Sequence, residues 1–208
     1  MAQASRSTRK PSTKKPTDTK GQVGSFTVPG VPLEDGHKLA GQLQLRLHAL
    51  NDLQLTLKHA HWNVVGPKFI GVHTMLDPQV DAVRAMVDEL AERMATMGVA
   101  PIGTPGHLVE NRTWDDYSLG LAGASEHLGA LDLVYTGVIE GHREVIEVAG
   151  DIDPVTEDML IGHVAQLELF QWFIRAHLKD DEGVLATDGA TTEAEAAQQA
   201  MDADKAAD

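Results

Sequence analysis

The sequence predicts an all-α protein built as a four-helix bundle with a long crossover between its second and third helices. Three observations predict it. Apolar residues recur at three- and four-residue spacings along four long stretches between Leu33 and Leu178. Gly66-Pro67, and the run Gly98, Pro101, Pro105 and Gly106, punctuate those stretches. No segment shows the alternation of a convincing strand, and there is no internal repeat.

The first helix is expected from about His37 to Val64, with Leu43, Leu47, Leu50, Leu57 and Val64 as its apolar seam. Leu45, Leu53 and Leu55 widen that surface beyond what a bundle core needs, which suggests oligomer contacts. Gly66-Pro67 makes the turn. The second helix spans about Phe69 to Met97, burying Leu76, Val80, Val83, Val87, Leu90 and Met94 and stopping at Gly98. Pro78 lies inside it and should bend it or cost a hydrogen bond. Residues 99 to 113 form the crossover, with a helical turn near Leu108. The third helix is placed from Asp116 to Ala149. The fourth begins at Asp153, a good cap, with Pro154 in its first position, and ends near Leu178.

The expected organisation is a basic tail over residues 1–31, a helical domain over 32–179 and an acidic, solvated tail over 180–208. The net charge of −14 is unevenly spread. Residues 1–20 carry Arg6, Arg9, Lys10, Lys14, Lys15 and Lys20 against Asp18, whereas residues 180–208 carry nine acids and Lys205. With no Cys there is no disulfide, thiolate site or thiol nucleophile. No run approaches a membrane span, and no phosphate loop, dinucleotide fingerprint or serine-hydrolase elbow is present. A cytoplasmic location is expected.

Metal chemistry is the function the residues suggest. On the second helix His73, Asp77, Asp81, Arg84, Asp88 and Glu92 share one stripe, opposite the apolar face. His61 lies just upstream on the first helix's apolar seam. A solvated charged face is the ordinary meaning of such a stripe, but acids outnumber bases on it and repel unless a cation compensates. His73 and Asp88 would sit roughly 22 Å apart along one helix, far beyond the reach of one ion's ligands. Either two half-sites exist or a second chain completes one. The only Glu-x-x-His pair, Glu34 and His37, opens the first helix rather than lying mid-bundle, which argues against a di-iron centre within one subunit. A second metal site is conceivable from His48 and Asp52, one turn apart, with His37 and Glu34 or Asp35 folded over them. His107, His127, His142 and His163 read as structural or surface residues. Asp151, Asp153, Glu157 and Asp158 crowd the start of the fourth helix, where acids complement the dipole.

The segment KHAHWNVVGPKFIGVHTMLDPQVDAVRAMVDELAERMATMG, residues 58–98, resembles the signature of the Dps family, the mini-ferritins of starved cells. GTPGHLVENRTWDDY and FQWFIRAHL resemble the actinobacterial members, and the likeness covers about residues 26–180. The resemblance implies a ferritin-like bundle assembled into a hollow dodecamer. It implies a ferroxidase that oxidises Fe(II), preferably with hydrogen peroxide, stores ferric iron in the shell and protects DNA from oxidative damage. His61, His73 and Asp77 of one chain would act with Asp88 and Glu92 of its twofold mate, with Trp62 beside the site. Asp153 and Asp158 would line a pore admitting Fe(II). Some members bind DNA, without sequence preference, through basic tails. Here Arg6, Arg9, Lys10, Lys14 and Lys15 are the candidates, and a nucleoid-associated location follows. The alternative is a nucleoid architectural protein whose main role is DNA compaction.

Overall fold

The computed structural model describes residues 23–179 and 182–207. Four long helices dominate: α1 (Leu33–Asn63), α2 (Phe69–Thr96), α4 (Ala124–Ile152) and α5 (Pro154–Leu178). A short helix, α3 (Pro105–Asn111), lies in the crossover, and α6 (Glu193–Ala207) follows the bundle. α1 packs on α2, α4 packs on α5, and α1 meets α4 across the core.

The apolar seams read from the sequence meet in that core. Leu43, Leu47, Leu50 and Leu57 of α1 and Leu76, Val83, Leu90 and Met94 of α2 are almost fully buried. Leu131 and Tyr135 of α4 and Leu160, Leu167 and Ile174 of α5 complete it. Each such side chain contributes about 1.5–3 kcal/mol by leaving water. The Tyr135 hydroxyl donates 2.7 Å to Gln79 Oε1, so this large phenol is buried without an orphaned polar atom. Leu55, by contrast, is exposed, and with Trp62 and Ile70 it leaves an apolar face open beside the end of α1.

Several boundaries differ from expectation. α1 starts at Leu33, ahead of His37, with Glu34 and Asp35 in its first turn, where carboxylates suit the dipole. Residues 116–121 are not helical, and α4 begins only at Ala124. The Leu119 carbonyl is held 2.8 Å from His59 Nε2, and Glu126 Oε2 accepts the Gly123 N–H at 2.8 Å, capping the helix there. A two-residue parallel pair, β1 (Val64–Val65) with β2 (Ala122–Gly123), was not expected; it ties the end of α1 to the start of α4. α2 runs unbroken through Pro78.

Both expected tails need correction where they are described. Residues from Val23 lie back against the end of α2, where Val23 bridges Val99 and Gly24 N donates to the Gly98 carbonyl. Gly98 has φ of 81°, and a Cβ there would strike the Phe26 carbonyl, so only glycine suits this turn. At the other terminus α6 is a packed helix, not solvated chain. Ala196, Ala197 and Ala200 are buried against α4. Gly129 permits the approach, since a Cβ there would collide with the Ala196 backbone. The composition of this segment looks polar, but Ala196, Ala197 and Ala200 fall on one face.

Candidate metal centre

The end of α1 and the first turns of α2 bring three of the expected ligands together. The His61 and His73 rings stack with centroids 3.7 Å apart. His61 Nδ1 lies 2.8 Å from the His73 carbonyl oxygen, and His73 Nδ1 lies 2.9 Å from the His61 carbonyl oxygen. A carbonyl only accepts, so each Nδ1 carries the hydrogen and each Nε2 keeps its lone pair. Metal-binding histidines are commonly oriented in this way, by donating their other N–H to a carbonyl or carboxylate. Asp77 Oδ1 stands 3.3 Å from His61 Nδ1. Lys58 Nζ donates to the same oxygen at 2.6 Å. That bond, followed by the nearby imidazoles, holds the Asp77 carboxyl below its usual range against a smaller opposing effect of burial. The ammonium thus occupies the position of a cation bound to Asp77. Lys58 lies one turn before His61 on α1, a spacing legible in the sequence but not singled out from it.

Asp88 and Glu92 lie elsewhere. Both are exposed on α2, about four and five turns beyond His73, and neither has a hydrogen bond or ion pair among the described residues. No group of three or more His, Asp or Glu side chains that could hold a metal is assembled within one chain among those residues. Trp62 is 69% exposed, beside the buried His61.

The second-site residues are dispersed. His37 Nε2 is 3.0 Å from the Phe26 carbonyl. His48 Nε2 bonds His107 Nδ1 of α3 at 2.8 Å, and Asp52 accepts from Trp114 Nε1 at 2.5 Å. Glu34 and Asp35 are exposed at the start of α1. Three different local contacts therefore replace the expected cluster. Those of His48 and Asp52 pin the crossover to α1, with Gln44 exchanging two further bonds of 2.9 Å with the Ile102 backbone.

The acids at the start of α5 also divide. Asp153 is the cap: its side chain accepts from the N–H groups of Val155 and Thr156 and pairs with Arg93. Although burial pushes its pKa up, the Thr156 and Arg93 bonds outweigh this and hold it below the usual range. At 4% exposure it is not free to line a pore. Asp158 is exposed. Arg6, Arg9, Lys10, Lys14 and Lys15 lie outside the described residues. Among the described residues no helix is long and apolar enough to cross a membrane.

A ferritin-like domain matches residues 40–184. The DNA protection during starvation protein of Mycolicibacterium smegmatis is 54% identical over 176 residues, 85% of this chain and 96% of that protein. The chain belongs to the Dps family. A solved Dps structure from Streptomyces coelicolor shares 62% identity at a TM-score of 0.79, covering 80% of this chain and 99% of that one. The Mycobacterium smegmatis Dps structure gives 54% identity and a TM-score of 0.79, covering 82% and 97%. The fine tangled pili major subunit of Haemophilus ducreyi is 57% identical over 157 residues, 76% of this chain and 83% of that protein. The fold is that of this family: a ferritin-like helical bundle.

Proposed function

We propose that this Dps protein is a ferroxidase that oxidises Fe(II) with hydrogen peroxide and stores the ferric product inside a hollow dodecameric shell. The observation that carries the reading is the reciprocal pinning of His61 and His73 through their Nδ1 atoms, which leaves both Nε2 lone pairs free, with Asp77 beside the His61 ring. An imidazole and carboxylate set suits iron. Asp88 and Glu92 of a second copy complete the site, and the exposed Leu55, Trp62 and Ile70 supply apolar surface for that copy beside it. Incoming Fe(II) takes the place of the Lys58 ammonium at Asp77. Peroxide then accepts one electron from each of two Fe(II) ions and two protons, and leaves as water. The paired transfer consumes peroxide without releasing hydroxyl radical, which protects nearby DNA. The exposed Asp158 draws Fe(II) towards the shell; Asp153 has a structural duty instead.

DNA association through Arg6, Arg9, Lys10, Lys14 and Lys15 is part of the same reading. Many copies on one particle multiply weak phosphate contacts. It places the protein in the cytoplasm at the nucleoid. Rapid mixing of Fe(II)-loaded protein with peroxide tests the core of the proposal. Two Fe(II) should be oxidised per peroxide, with iron retained in a large particle. Oxidation no faster than in buffer would reject it. A low-salt gel shift that survives deletion of residues 1–20 would reject the tail assignment.

A further inference from the structure

The chain has two tyrosines, Tyr117 and Tyr135, and their hydroxyls meet partners of opposite chemistry. Tyr135, in the bundle core, donates to Gln79 Oε1. A carboxamide oxygen accepts a hydrogen bond but does not take the proton away. The Tyr117 hydroxyl instead lies 2.9 Å from Nδ1 of His127, an imidazole with 0% exposure. Burial, the largest influence, holds the His127 pKa below its ordinary value, so the ring is neutral at pH 7. The backbone of Asn63 and Gly120 acts the other way and favours an N–H on this ring, although Nε2 makes no full hydrogen bond. The neutral ring therefore keeps its hydrogen on Nε2, and Nδ1 accepts from the phenol. Burial, followed by the charge of Glu193, raises the Tyr117 pKa, so the phenol does not ionise on its own. It nevertheless stands one hydrogen bond from a base, within the reach that proton transfer requires.

This pair lies across α1 from the candidate metal centre. His59 of α1 holds the non-helical segment that carries Tyr117: its Nε2 lies 2.8 Å from the Leu119 carbonyl, and the His59 and Tyr117 rings meet edge to face with centroids 5.9 Å apart. His127 stands beside the Asn63 backbone. His59 and Asn63 are about one turn apart on the same face of α1, and His61, between them, lies roughly 200° around the helix from His59. One helix diameter, about 10–12 Å with side chains, therefore separates Tyr117 from His61. Electrons cross such a span through packed protein. Protons do not, so a phenol that gives up an electron here needs its own base.

We propose that Tyr117 is an electron donor to the His61 centre, with His127 as its proton acceptor, and that it supplies the second electron to peroxide whenever a centre holds a single Fe(II). This role rests on the ferroxidase reading above. Peroxide needs two electrons and two protons to become two waters. A lone Fe(II) gives one electron, and breaking the O–O bond at that stage would release hydroxyl radical. Tyr117 gives the other electron and becomes a neutral tyrosyl radical, while its proton passes along the hydrogen bond to His127 Nδ1. Solvent supplies the two protons that the oxygens take, and Fe(III) and two waters are left. The next Fe(II) returns an electron to the radical as His127 returns the proton. The pair is restored, and the overall ratio stays at two Fe(II) per peroxide. Burial opposes the imidazolium formed meanwhile, and the Asn63 and Gly120 backbone with Glu126 offsets part of that. Tyr135 is unsuited to the task, because oxidation would trap its proton against Gln79 in the core. Trp62, exposed and able to lose its indole proton to water, is the rival donor.

The experiment is freeze-quench electron paramagnetic resonance of the full-length assembly, loaded with one Fe(II) per centre and mixed with excess peroxide. A tyrosyl signal is expected, and it should narrow in protein made with ring-deuterated tyrosine. Tyr117→Phe keeps the ring and its packing; it should abolish the signal and release hydroxyl radical to a spin trap. Tyr135→Phe should retain the signal. His127→Gln, whose amide takes no proton, should lose it. Rapid Fe(II) oxidation by peroxide with no tyrosyl signal, a signal that survives Tyr117→Phe, or a tryptophanyl signal in its place would each overturn the role of Tyr117 and leave the ferroxidase reading standing. Fe(II) oxidation no faster than in buffer would instead remove the ferroxidase reading, and this role with it.

Discussion

The two ends of α2 carry the same kinds of metal-binding side chain but treat them in opposite ways. At the N-terminal end His73 and Asp77 are docked: a stacked ring, two carbonyl bonds and the Lys58 ammonium fix them against α1. At the other end Asp88 and Glu92 are exposed and without partners among the described residues. A helix can preorganise ligands only where a neighbour packs on them. Ligands on its open face need a second surface, and the contrast along α2 is what a site divided between chains requires.

Breaking either end should therefore have a large effect. His61→Ala with His73→Ala, and separately Asp88→Ala with Glu92→Ala, should each slow peroxide-driven Fe(II) oxidation on the order of 100-fold. Stopped-flow absorbance checks this. The ends should differ in stability, because only the first pair makes contacts within the chain: denaturant midpoints should fall for the histidine variant and barely move for the carboxylate variant.

Asp153 and Asp158 repeat the contrast at the start of α5. Asp153→Ala removes a cap and strands Arg93, which should cost about 3 kcal/mol in urea unfolding. Asp158→Ala should cost less than about 0.5 kcal/mol while slowing iron uptake. Because the folded pKa of Asp153 is depressed, its contribution is present above the ordinary Asp value of about 3.9 and is lost as the pH falls through the lower folded value. The stability difference between wild type and Asp153→Ala should shrink over that acid range.

Lys58→Met sharpens the comparison at the docked end. Without the ammonium, Asp77 should titrate nearer its ordinary range, and Fe(II) binding should tighten by roughly two- to five-fold, as suits an exposed charge pair. Anaerobic Fe(II) titration measures it. Tighter binding with slower uptake of a second ion would still fit; weaker binding would show that Lys58 supports the ligands rather than competing for them.

The smallest effect concerns the crossover. Burial, and then His107, hold the His48 pKa below its ordinary value. A depressed imidazole stabilises the fold at pH above about 6.5, and that stabilisation is lost as the pH falls from there through the lowered folded value. Amide exchange over residues 102–112, corrected for its intrinsic pH dependence, should rise in that window and be unaffected in His48→Gln.

The bundle was legible because its evidence is local and periodic: Leu43, Leu47, Leu50 and Leu57 declare a buried face without any knowledge of partners. The cap at Asp153 was equally plain from Asp-Pro. What resisted reading depends on contacts distant in sequence. Residues 116–121 carry a helical pattern, yet His59 claims the Leu119 carbonyl from α1. α6 looks like solvated chain until Gly129, more than sixty residues earlier, is seen to accept Ala196. At the site, the axial distance between His73 and Asp88 already excluded one ion in one straight helix, whereas Lys58 became visible only with α1 and α2 side by side. His48 and Asp52, one turn apart, suggested a metal and instead hold the crossover.

Mixing the two damaged ends in one particle tests the shared site most directly. Co-assembly of the His61→Ala, His73→Ala chain with the Asp88→Ala, Glu92→Ala chain gives mixed pairs in which one centre has every ligand intact and the other almost none. Verified mixed assemblies should recover up to about half of the wild-type oxidation rate within those pairs, by the same count of ligands. Mixed assemblies as slow as either parent would show that the centre does not draw its ligands from two chains.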